Sequence, residues 1–302
     1  MNTSAMDGVL VVDKPQGLTS HDVVAVARRS LRERRIGHTG TLDPLATGVL
    51  PLACGRATRL VRFLVSSDKE YDATVRFGLA TDSYDITGAE TARSDRAPTA
   101  AAVEAALTGL RGEYKQVPPV FSAKKVGGER AYAKARRDED VVLTPVPVRV
   151  TRADLLEFTG ASARIAITCS AGFYVRSFAH ALGESVGTGA CLESLRRTRS
   201  GEFTIDQAVE LERVQRAGDA VTGWIPLNRL LPGLPSARLG AEGRKRVTYG
   251  QTVRESHLVS SREAMCGNEG TWVRLIDEEG QLVALATVAG SGEFLHPAVV
   301  LI

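Results

Sequence analysis

One carboxylate, Asp43, is the first candidate for chemistry in this sequence, and it lies in the loop-like stretch from Gly37 to Leu52. Pro44 follows it and favours an extended backbone at Asp43, because the proline ring clashes with a helical residue before it. The stretch also holds glycines at positions 37, 40 and 48 and threonines at positions 39, 41 and 47. Glycines permit backbone angles closed to other residues and a close approach of the chain, and short hydroxyls can hydrogen-bond to the loop's own backbone. Taken alone, the loop fits either a structural turn in which Asp43 accepts local hydrogen bonds or a site built around a reactive carboxylate.

Aromatic, basic and apolar residues in three later segments are candidates for the same site. Tyr71 begins the apolar face of an alternating strand pattern from Lys69 to Leu79, where core packing is the alternative explanation. Tyr174 and Arg176 lie in the sequence GFYVRSF, ahead of a helical pattern. A surface salt bridge would explain this arginine without any catalytic role. Leu195 begins the sequence LRRTRSG.

These segments resemble one known family in the same order. The run GHTGTLDPLATGVLPLACGRATRL, residues 37–60, resembles the catalytic loop of the TruB family of tRNA pseudouridine synthases, and Asp43 occupies the position of the family's nucleophile. Four further family motifs are matched: K-x-Y ending at Tyr71, PP-x-x-SA-x-K at 118–125, G-x-Y-[IV]-R at 172–176 and L-R-R-x-x-x-G at 195–201. The resemblance covers about residues 8–230.

The resemblance implies a role for each of these residues. Asp43 and Arg176 are the implied catalytic residues, paired so that the arginine keeps the nucleophile charged in a pocket where burial alone disfavours charge. The target uridine lies inside a folded RNA loop, so its nucleotide must be flipped out before reaction. The implied substrate-binding residues are His38, which would enter the vacated RNA stack, Tyr71 and Tyr174 at the flipped base, Leu195 in the pocket wall, and Lys14. For His38 a role as general base is the rival interpretation, since histidine titrates near neutrality; the wedge is favoured because the family assigns catalysis to the aspartate.

The composition is that of an ordinary globular protein. The chain has 302 residues, of which 43% are hydrophobic and 24% charged. No apolar run approaches the roughly 18 residues that a membrane span needs, and the start MNTSAMDGVLVVDKP lacks a signal-peptide layout. The four cysteines show neither zinc-site nor CxxC spacing. We therefore expect a cytoplasmic protein without a zinc site, and the reaction that the resemblance implies needs no metal and no cofactor.

The charge distribution and the resemblance together suggest the partners. The net charge of +3 is too small to indicate nucleic-acid binding by itself. Five arginines lead into the Asp43 loop: Arg28, Arg29, Arg32, Arg34 and Arg35. They fit either a solvated helix face or a face for RNA phosphates. The resemblance implies the T arm of tRNA as the partner, with no guide RNA and no membrane, and we expect a monomer.

The resemblance also implies an α+β architecture, the pseudouridine synthase fold, with a mixed, mostly antiparallel central sheet flanked by helices and loops. We expect a catalytic domain at residues 1–232, with an RNA-clamping insertion at about 122–147, and a small β-rich PUA-like domain at 233–302. The stretch 226–235 holds three prolines and a glycine and is predicted to be a linker. The polar stretch 88–98 is predicted to be a surface loop.

Local patterns predict the elements around the Asp43 loop and near the C-terminus. GVLVVD at 8–13 indicates a strand, and Thr19 or Ser20 can cap a helix whose apolar residues recur at helical spacing. Strand patterns at 271–276 and 281–288 favour a small barrel-like module.

The function expected from all of this is conversion of the T-loop uridine of tRNA, conventionally position 55, to pseudouridine. An alternative of another class is a non-catalytic RNA-binding or tRNA-folding protein on the same scaffold. Asp43, Tyr71 and Arg176 occurring together argue against it, because binding alone needs no reactive carboxylate. A guide-RNA-dependent relative is the third possibility; with about eight residues before the first strand and no basic tail, a stand-alone bacterial enzyme is expected instead.

Overall fold

The computed structural model describes residues 6–122, 125–126, 129–130, 137, 143–260 and 267–302. Its strands are β1 Gly8–Lys14, β2 Ile36–His38, β3 Thr47–Cys54, β4 Lys69–Phe77, β5 Leu79–Thr81, β6 Glu90–Arg93, β7 Gly112–Gln116, β8 Lys125–Val126, β9 Glu129–Arg130, β10 Val146–Phe158, β11 Ser162–Cys169, β12 Ala190–Ser200, β13 Phe203–Thr204, β14 Val209–Glu210, β15 Trp224–Pro226, β16 Ser236–Leu239, β17 Val253–Arg254, β18 Leu258–Ser260, β19 Trp272–Ile276, β20 Leu282–Ala289 and β21 Phe294–Val300. The α-helices in these ranges are α1 Ser20–Ser30, α2 Val61–Val65, α3 Ala100–Gly109, α4 Val175–Ser185, α5 Leu211–Ala217 and α6 Ala241–Thr248. Most of the predicted insertion at about 122–147 lies outside the described residues, including Ala123 and Lys124 of the PP-x-x-SA-x-K segment.

An 11-stranded sheet forms the larger part of the molecule, in the order β14-β1-β3-β12-β4-β11-β10-β7. The remaining three strands pair at its margin, β15 with β1, β2 with β3 and β13 with β12. All of its pairings are antiparallel except β1 with β14 and β3 with β12. The predicted α+β class with a mixed, mostly antiparallel central sheet is confirmed.

The strand β1 is buried on both faces, which explains its uninterrupted apolar sequence. Successive side chains of a strand point to opposite faces. Leu10 and Val12 therefore pack in the core that α1, α3, α4 and α5 cover. Val9 and Val11 pack on the other face, in a second core that includes Leu285 of β20. The central sheet thus lies between a helical layer and the C-terminal part of the chain.

The C-terminal part is β-rich, as predicted. Six strands form a second sheet in the order β17-β21-β20-β19-β16-β18. This sheet has a core of its own, which includes Leu239, Val247 of α6, Val273 and Leu275. The boundary at 232/233 and the PUA type of this part stay predictions.

The predicted linker at 226–235 is packed rather than free. Leu227 and Leu230 are buried in the core shared by the two sheets, and residues 227–229 form a short 3₁₀ helix. The prolines predicted a linker, but the leucines between them bury apolar surface against residues of both sheets.

Two further segments differ from their sequence patterns. The predicted surface loop 88–98 contains β6, which pairs with β5; its residues are all exposed, so it lacks the alternation that marks a half-buried strand. The motif at 195–201, for which no strand was predicted, lies largely in the central strand β12. This strand carries three arginines, Arg196, Arg197 and Arg199.

The helices α1 and α4 bring side chains to the Asp43 loop. Thr19 caps α1 in a capping box with Asp22, as the sequence predicted for Thr19 or Ser20. This cap places Ser20, the first residue of the helix, against the loop. The helix α4 begins after Tyr174, and its first turn contains the buried Arg176.

Candidate active site

The loop that carries Asp43 is pinned on both sides of the carboxylate. The Ser20 hydroxyl donates to the Leu42 carbonyl at 3.1 Å and accepts from the Leu42 N–H at 2.8 Å. After Asp43, the Pro44 carbonyl accepts from the Gly17 N–H at 2.8 Å. The carboxylate therefore projects from a backbone that is fixed immediately before and after it.

Arg197 of β12 holds the same loop from beneath. Its side chain is buried, and it donates from Nε to the Val49 carbonyl at 2.8 Å and from Nη2 to the Gly40 carbonyl at 3.0 Å. Nη1 lies 3.4 Å from the Thr41 carbonyl. A planar guanidinium suits this task because its donors point in several fixed directions.

Gly48 lets β3 approach β12 closely enough for these bonds to form. Gly48 has a φ of +99° and pairs with Arg197 in the parallel register of the two strands. A Cβ atom at this position would lie 2.2 Å from the Arg197 carbonyl oxygen. The glycine is thus required both by its backbone angle and by the space available.

Two of the three loop threonines, Thr39 and Thr47, do not bond to the loop's own backbone through their hydroxyls. The Thr39 hydroxyl is buried without a hydrogen-bond partner among the described residues. The Thr47 hydroxyl lies 3.5 Å from the Leu195 carbonyl, on another strand. Ser20 and Arg197 therefore tie the loop, in place of the expected hydroxyl bonds to its own backbone.

Asp43 and Arg176 form the ion pair that the sequence comparison predicted. Arg176 Nε lies 2.9 Å from Asp43 Oδ2, in a contact without hydrogen-bond alignment. The Arg176 side chain is 7% exposed and that of Asp43 is 40% exposed. The arginine is therefore fixed in the protein while the carboxylate stays open to a ligand.

A second carboxylate, Asp85, lies on the far side of the same arginine. Arg176 Nη1 lies 3.7 Å from Asp85 Oδ2 and donates to the Ser83 carbonyl at 3.1 Å, and Nη2 donates to the Phe121 carbonyl at 2.9 Å. The Asp85 carboxylate is buried and accepts at Oδ1 from Ser83 Oγ, Thr87 N–H and Thr87 Oγ1 at 3.0, 3.0 and 2.6 Å. These bonds orient the guanidinium from behind, so that Nε faces Asp43.

A cleft of about 980 Å³ opens in front of this pair. Its walls come from the start of α1, the Asp43 loop, the loop 82–89 and Phe121, and they include His21, His38, Asp43 and Arg176. The volume is in the range of small-molecule sites and accommodates a nucleotide. Three of the seven predicted site residues, His38, Asp43 and Arg176, line this one cleft.

His38 enters the cleft as a neutral ring. Burial, with the nearby His21 and the Arg197 guanidinium, lowers the pKa of His38 to about 4. Its ring meets that of His21 edge to face, with centroids 5.4 Å apart. A neutral, partly buried imidazole suits the predicted stacking role better than that of a base working near neutral pH.

Tyr71 and Tyr174 lie close enough to Asp43 for its charge to act on their phenols, although neither they nor Leu195 line the cleft. Tyr71 is on β4, where it pairs with Arg197 of β12. Burial, together with the Asp43 charge, raises its pKa, while the Arg197 guanidinium opposes the rise. Burial also raises the pKa of Tyr174. Its backbone N–H donates to Gln116 Oε1 at 2.8 Å, and its carbonyl accepts from Gln116 Nε2 at 3.0 Å. Leu195 is buried in the core against which Tyr71 packs. Both phenols are protonated at neutral pH and can act as neutral, flat contact surfaces.

Lys14 lies under the loop rather than on the cleft surface. Its side chain is buried, and Nζ donates to the Pro15 carbonyl at 2.8 Å and lies 3.5 Å from the Pro44 carbonyl. Burial lowers its pKa to about 8, while the Asp43 charge works in the opposite direction. The predicted substrate-binding residue is thus placed as a support for Pro44, next to the candidate nucleophile.

Asp85, Ser83 and Arg197 are parts of this site that were not predicted from the sequence. The run TDSYDITG at 81–88 carried a signal, because five Asp, Ser or Thr residues in eight positions after a strand are typical of a tightly hydrogen-bonded loop. Arg197 belonged to a recognised motif, but nothing local showed that its side chain is buried.

No group of three His, Cys, Asp or Glu side chains in the described ranges is arranged to hold a metal ion. Among the described residues, no helix is long and apolar enough to cross a membrane.

Comparison with known families gives matches over most of this chain. The model of the TruB family pseudouridylate synthase N-terminal domain matches residues 28–175. The model of the tRNA pseudouridylate synthase B C-terminal domain matches residues 176–225, ending before the second sheet.

Curated relatives match along 84–100% of their own length. A tRNA pseudouridine synthase B from Solibacter usitatus is 43% identical, over 98% of this chain and all of its own. A protein of the same name from Arthrobacter sp. is 39% identical, over 98% of this chain and 96% of its own. One from Symbiobacterium thermophilum is 45% identical over 85% of this chain and 84% of its own.

Solved structures share the fold. The Cbf5-Nop10-Gar1 complex contains a chain that superposes with a TM-score of 0.76 at 26% identity, covering 98% of this chain and 85% of that one. A chain of the H/ACA RNP bound to a substrate RNA containing 2'-deoxyuridine superposes with a TM-score of 0.75 at 24% identity, covering 99% and 86%. The arrangement of both sheets is therefore one that solved proteins adopt.

Proposed function

Because this chain belongs to the TruB family of tRNA pseudouridine synthases, we propose that it converts the T-loop uridine of tRNA, conventionally position 55, to pseudouridine. The observation that carries the proposal is the half-open Asp43 carboxylate, held 2.9 Å from a buried arginine at the base of a cleft. A carboxylate held only for structure would be expected to have its hydrogen-bonding capacity filled by the protein.

Asp43 is the nucleophile in this proposal. The reaction breaks the bond between uracil N1 and the ribose C1′, turns the freed base, and joins C5 to C1′, after which the hydrogen on C5 leaves as a proton and N1 takes one up. The bonds of one nucleotide are rearranged without net oxidation or reduction, so the reaction requires no cofactor. Arg176 keeps Asp43 oriented, and Asp85 with the carbonyls of Ser83 and Phe121 fixes the arginine in turn.

The substrate nucleotide is flipped into the cleft, which costs a few kcal/mol of stacking. His38 fills the space that it leaves in the RNA; its neutral, partly buried ring is matched to a stack of bases. Tyr71 and Tyr174 contact the flipped base with protonated phenol rings, and Leu195 closes the pocket behind it. Aromatic stacking of this kind offsets part of the cost of flipping.

The proposed partner is the T arm of tRNA, bound without a guide RNA by a monomer in the cytoplasm. Residues 1–232 form the catalytic unit in this proposal, and the PUA-like part at 233–302 adds contacts to RNA outside the T loop. The packed joint at Leu227 and Leu230 supports a fixed relation between the two parts.

The test is single-turnover release of tritium from [5-³H]uridine in a T-arm stem-loop, comparing wild type with Asp43→Asn. We expect release by wild type and none by Asp43→Asn, with unchanged binding of the stem-loop in a filter or fluorescence assay. The control is Asp95→Asn, which changes an exposed aspartate away from the cleft.

Tight binding of the stem-loop without tritium release from wild type would contradict the proposal. That result would favour the second function, a non-catalytic RNA-binding or tRNA-folding protein, and would make Asp43 a loop residue.

A further inference from the structure

Two stacked rings, Tyr84 and His180, join the segments that surround Arg176. Their centroids lie 4.0 Å apart and their planes differ by 7°. Tyr84 belongs to the loop 82–89 between β5 and β6, and His180 belongs to α4. Neither residue lines the cleft, so neither has a place in the chemistry proposed above.

Tyr84 lies between the two residues of its loop that face the arginine. The Ser83 carbonyl accepts a hydrogen bond from Arg176 Nη1, and the Asp85 carboxylate lies 3.7 Å from the same atom. Tyr84 has a φ of +63°, a left-handed backbone that is strained for a bulky side chain and persists only where surrounding contacts enforce it. This turn lets the carbonyl of one neighbour and the side chain of the other reach the same guanidinium.

His180 follows Arg176 by four residues on α4. Side chains at this spacing lie on one face of a helix, one turn apart. The helix therefore meets the loop at two points: Arg176 at Ser83 and Asp85, and His180 at the Tyr84 ring. The stack fixes both the rotation of Tyr84 and the height of the loop along α4.

The His180 contact acts through its shape. The Nδ1 atom of His180 is buried and has no hydrogen-bond partner among the described residues. The nearly parallel ring planes show that the flat face of the imidazole contacts Tyr84. The loop is also attached to β12, where Leu192 N–H donates to the Tyr84 carbonyl and Ile86 N–H donates to the Leu192 carbonyl, both at 2.9 Å. These backbone bonds hold the base of the loop, and the stack sets its orientation towards α4.

We propose that Tyr84 and His180 are a positioning pair that sets Asp85 and the Ser83 carbonyl against Arg176, and through Arg176 orients Asp43. The inference rests on the proposed function of Asp43 and Arg176. It adds two residues that do not touch the substrate but on which the catalytic geometry depends.

The experiment measures single-turnover tritium release and stem-loop binding for Tyr84→Ala, Tyr84→Phe, His180→Ala and His180→Phe in the full-length chain. The single-turnover rates of the alanine variants are expected to fall about 10–100-fold, because a shift of Arg176 by up to about 1 Å is enough to cause such a loss. Binding of the stem-loop should stay within a factor of about three of wild type. The phenylalanine variants keep a flat ring and are expected to retain the wild-type rate. Thermal unfolding of each variant checks that it is folded.

A double-mutant cycle separates positioning from general stability. If the rings act through Asp85, Tyr84→Ala added to Asp85→Asn should reduce the rate far less than it does alone, because both changes release the same side of Arg176. Wild-type rates in both alanine variants, or full additivity with Asp85→Asn, would overturn the positioning pair while leaving the proposed function standing. Absence of release from wild type would overturn both.

Discussion

Replacement of Arg197 by methionine tests whether this buried arginine builds the candidate active site. The side chain is 1% exposed and bonds to the Val49 and Gly40 carbonyls at 2.8 and 3.0 Å, with a longer contact to Thr41. Methionine fills most of the volume of the arginine stem and adapts to irregular space. The substitution therefore removes the guanidinium and its bonds while leaving little empty volume.

The expected loss of stability follows from these bonds. A hydrogen bond from a charged donor contributes roughly 1.5–3 kcal/mol, so the two short bonds of Arg197 together contribute about 3–6 kcal/mol. Relief from burying a cation offsets part of this loss, since desolvation of a charge costs several kcal/mol. We expect a decrease of about 3 kcal/mol in the free energy of unfolding. The freed loop should also move Asp43, at a cost of roughly 100-fold in single-turnover rate.

The measurement is urea denaturation of Arg197→Met and of a matched control, Arg199→Met. Arg199 lies two residues further along β12, with a side chain 32% exposed and ion-paired to Glu70 at 2.8 Å. An exposed pair of this kind is worth about 0–1 kcal/mol, and the partly exposed bond from Nη1 to the Gly201 carbonyl at 2.9 Å adds roughly 0.5–1.5 kcal/mol. The control should therefore lose about 1–2 kcal/mol, less than Arg197→Met. Equal urea midpoints for the two variants, or wild-type tritium release by a folded Arg197→Met, would refute the assigned role of Arg197.

Three further changes have expected outcomes. Arg176→Lys keeps the charge but cannot reach Asp43 and both carbonyl partners at once, so single-turnover tritium release should fall at least about 100-fold; unchanged release by both this variant and Arg176→Ala would exclude the role. His38→Phe should keep a near-normal rate with an unchanged pH profile, and loss of one limb of that profile would instead identify a base. The pKa of His38 is about 4 in the folded protein, against an ordinary value of 6.5, so between these pH values the unfolded chain binds more protons than the folded one. The free energy of unfolding should therefore fall as the pH drops from 6.5 towards 4, and it should fall less steeply in His38→Phe. Gly48→Ala should cost about 2–6 kcal/mol in urea denaturation through a strained φ and overpacking, whereas Gly37→Ala, with open space around its Cβ position, should stay within about 0.5 kcal/mol; similar losses for the two would contradict this reasoning.

The sequence predicted contacts best where both residues belong to recognised motifs. Asp43 and Arg176 were paired through resemblance to a family, and their side chains meet at 2.9 Å. Local rules were sufficient for the Thr19 cap and for the buried strand β1, because capping and apolar runs depend on neighbours in the chain.

Contacts between distant segments could not be predicted in this way. Asp85 reaches Arg176 only because its loop packs on α4, and its polar neighbours alone indicate a surface loop. Arg197 and Lys14 are charged residues that would be expected on the surface, yet both are buried since backbone carbonyls of the Asp43 loop need donors. The prolines around Leu227 and Leu230 predicted a linker, although the burial of the two leucines depends on the second sheet, which is distant in sequence.

The pairing of β3 with β12 has a consequence for how the protein is made. Arg197 bonds to residues 148 and 157 positions earlier in the chain, so Asp43 leaves the ribosome long before its loop can close. At roughly 5–20 residues per second, this interval lasts about 8–30 s. During that time the nascent chain carries the candidate nucleophile without the geometry to use it. Contacts of such long sequence separation also form late in folding, because loop closure must come first. Activity would then appear only once β12 is in place, so that unfinished chains cannot act on RNA.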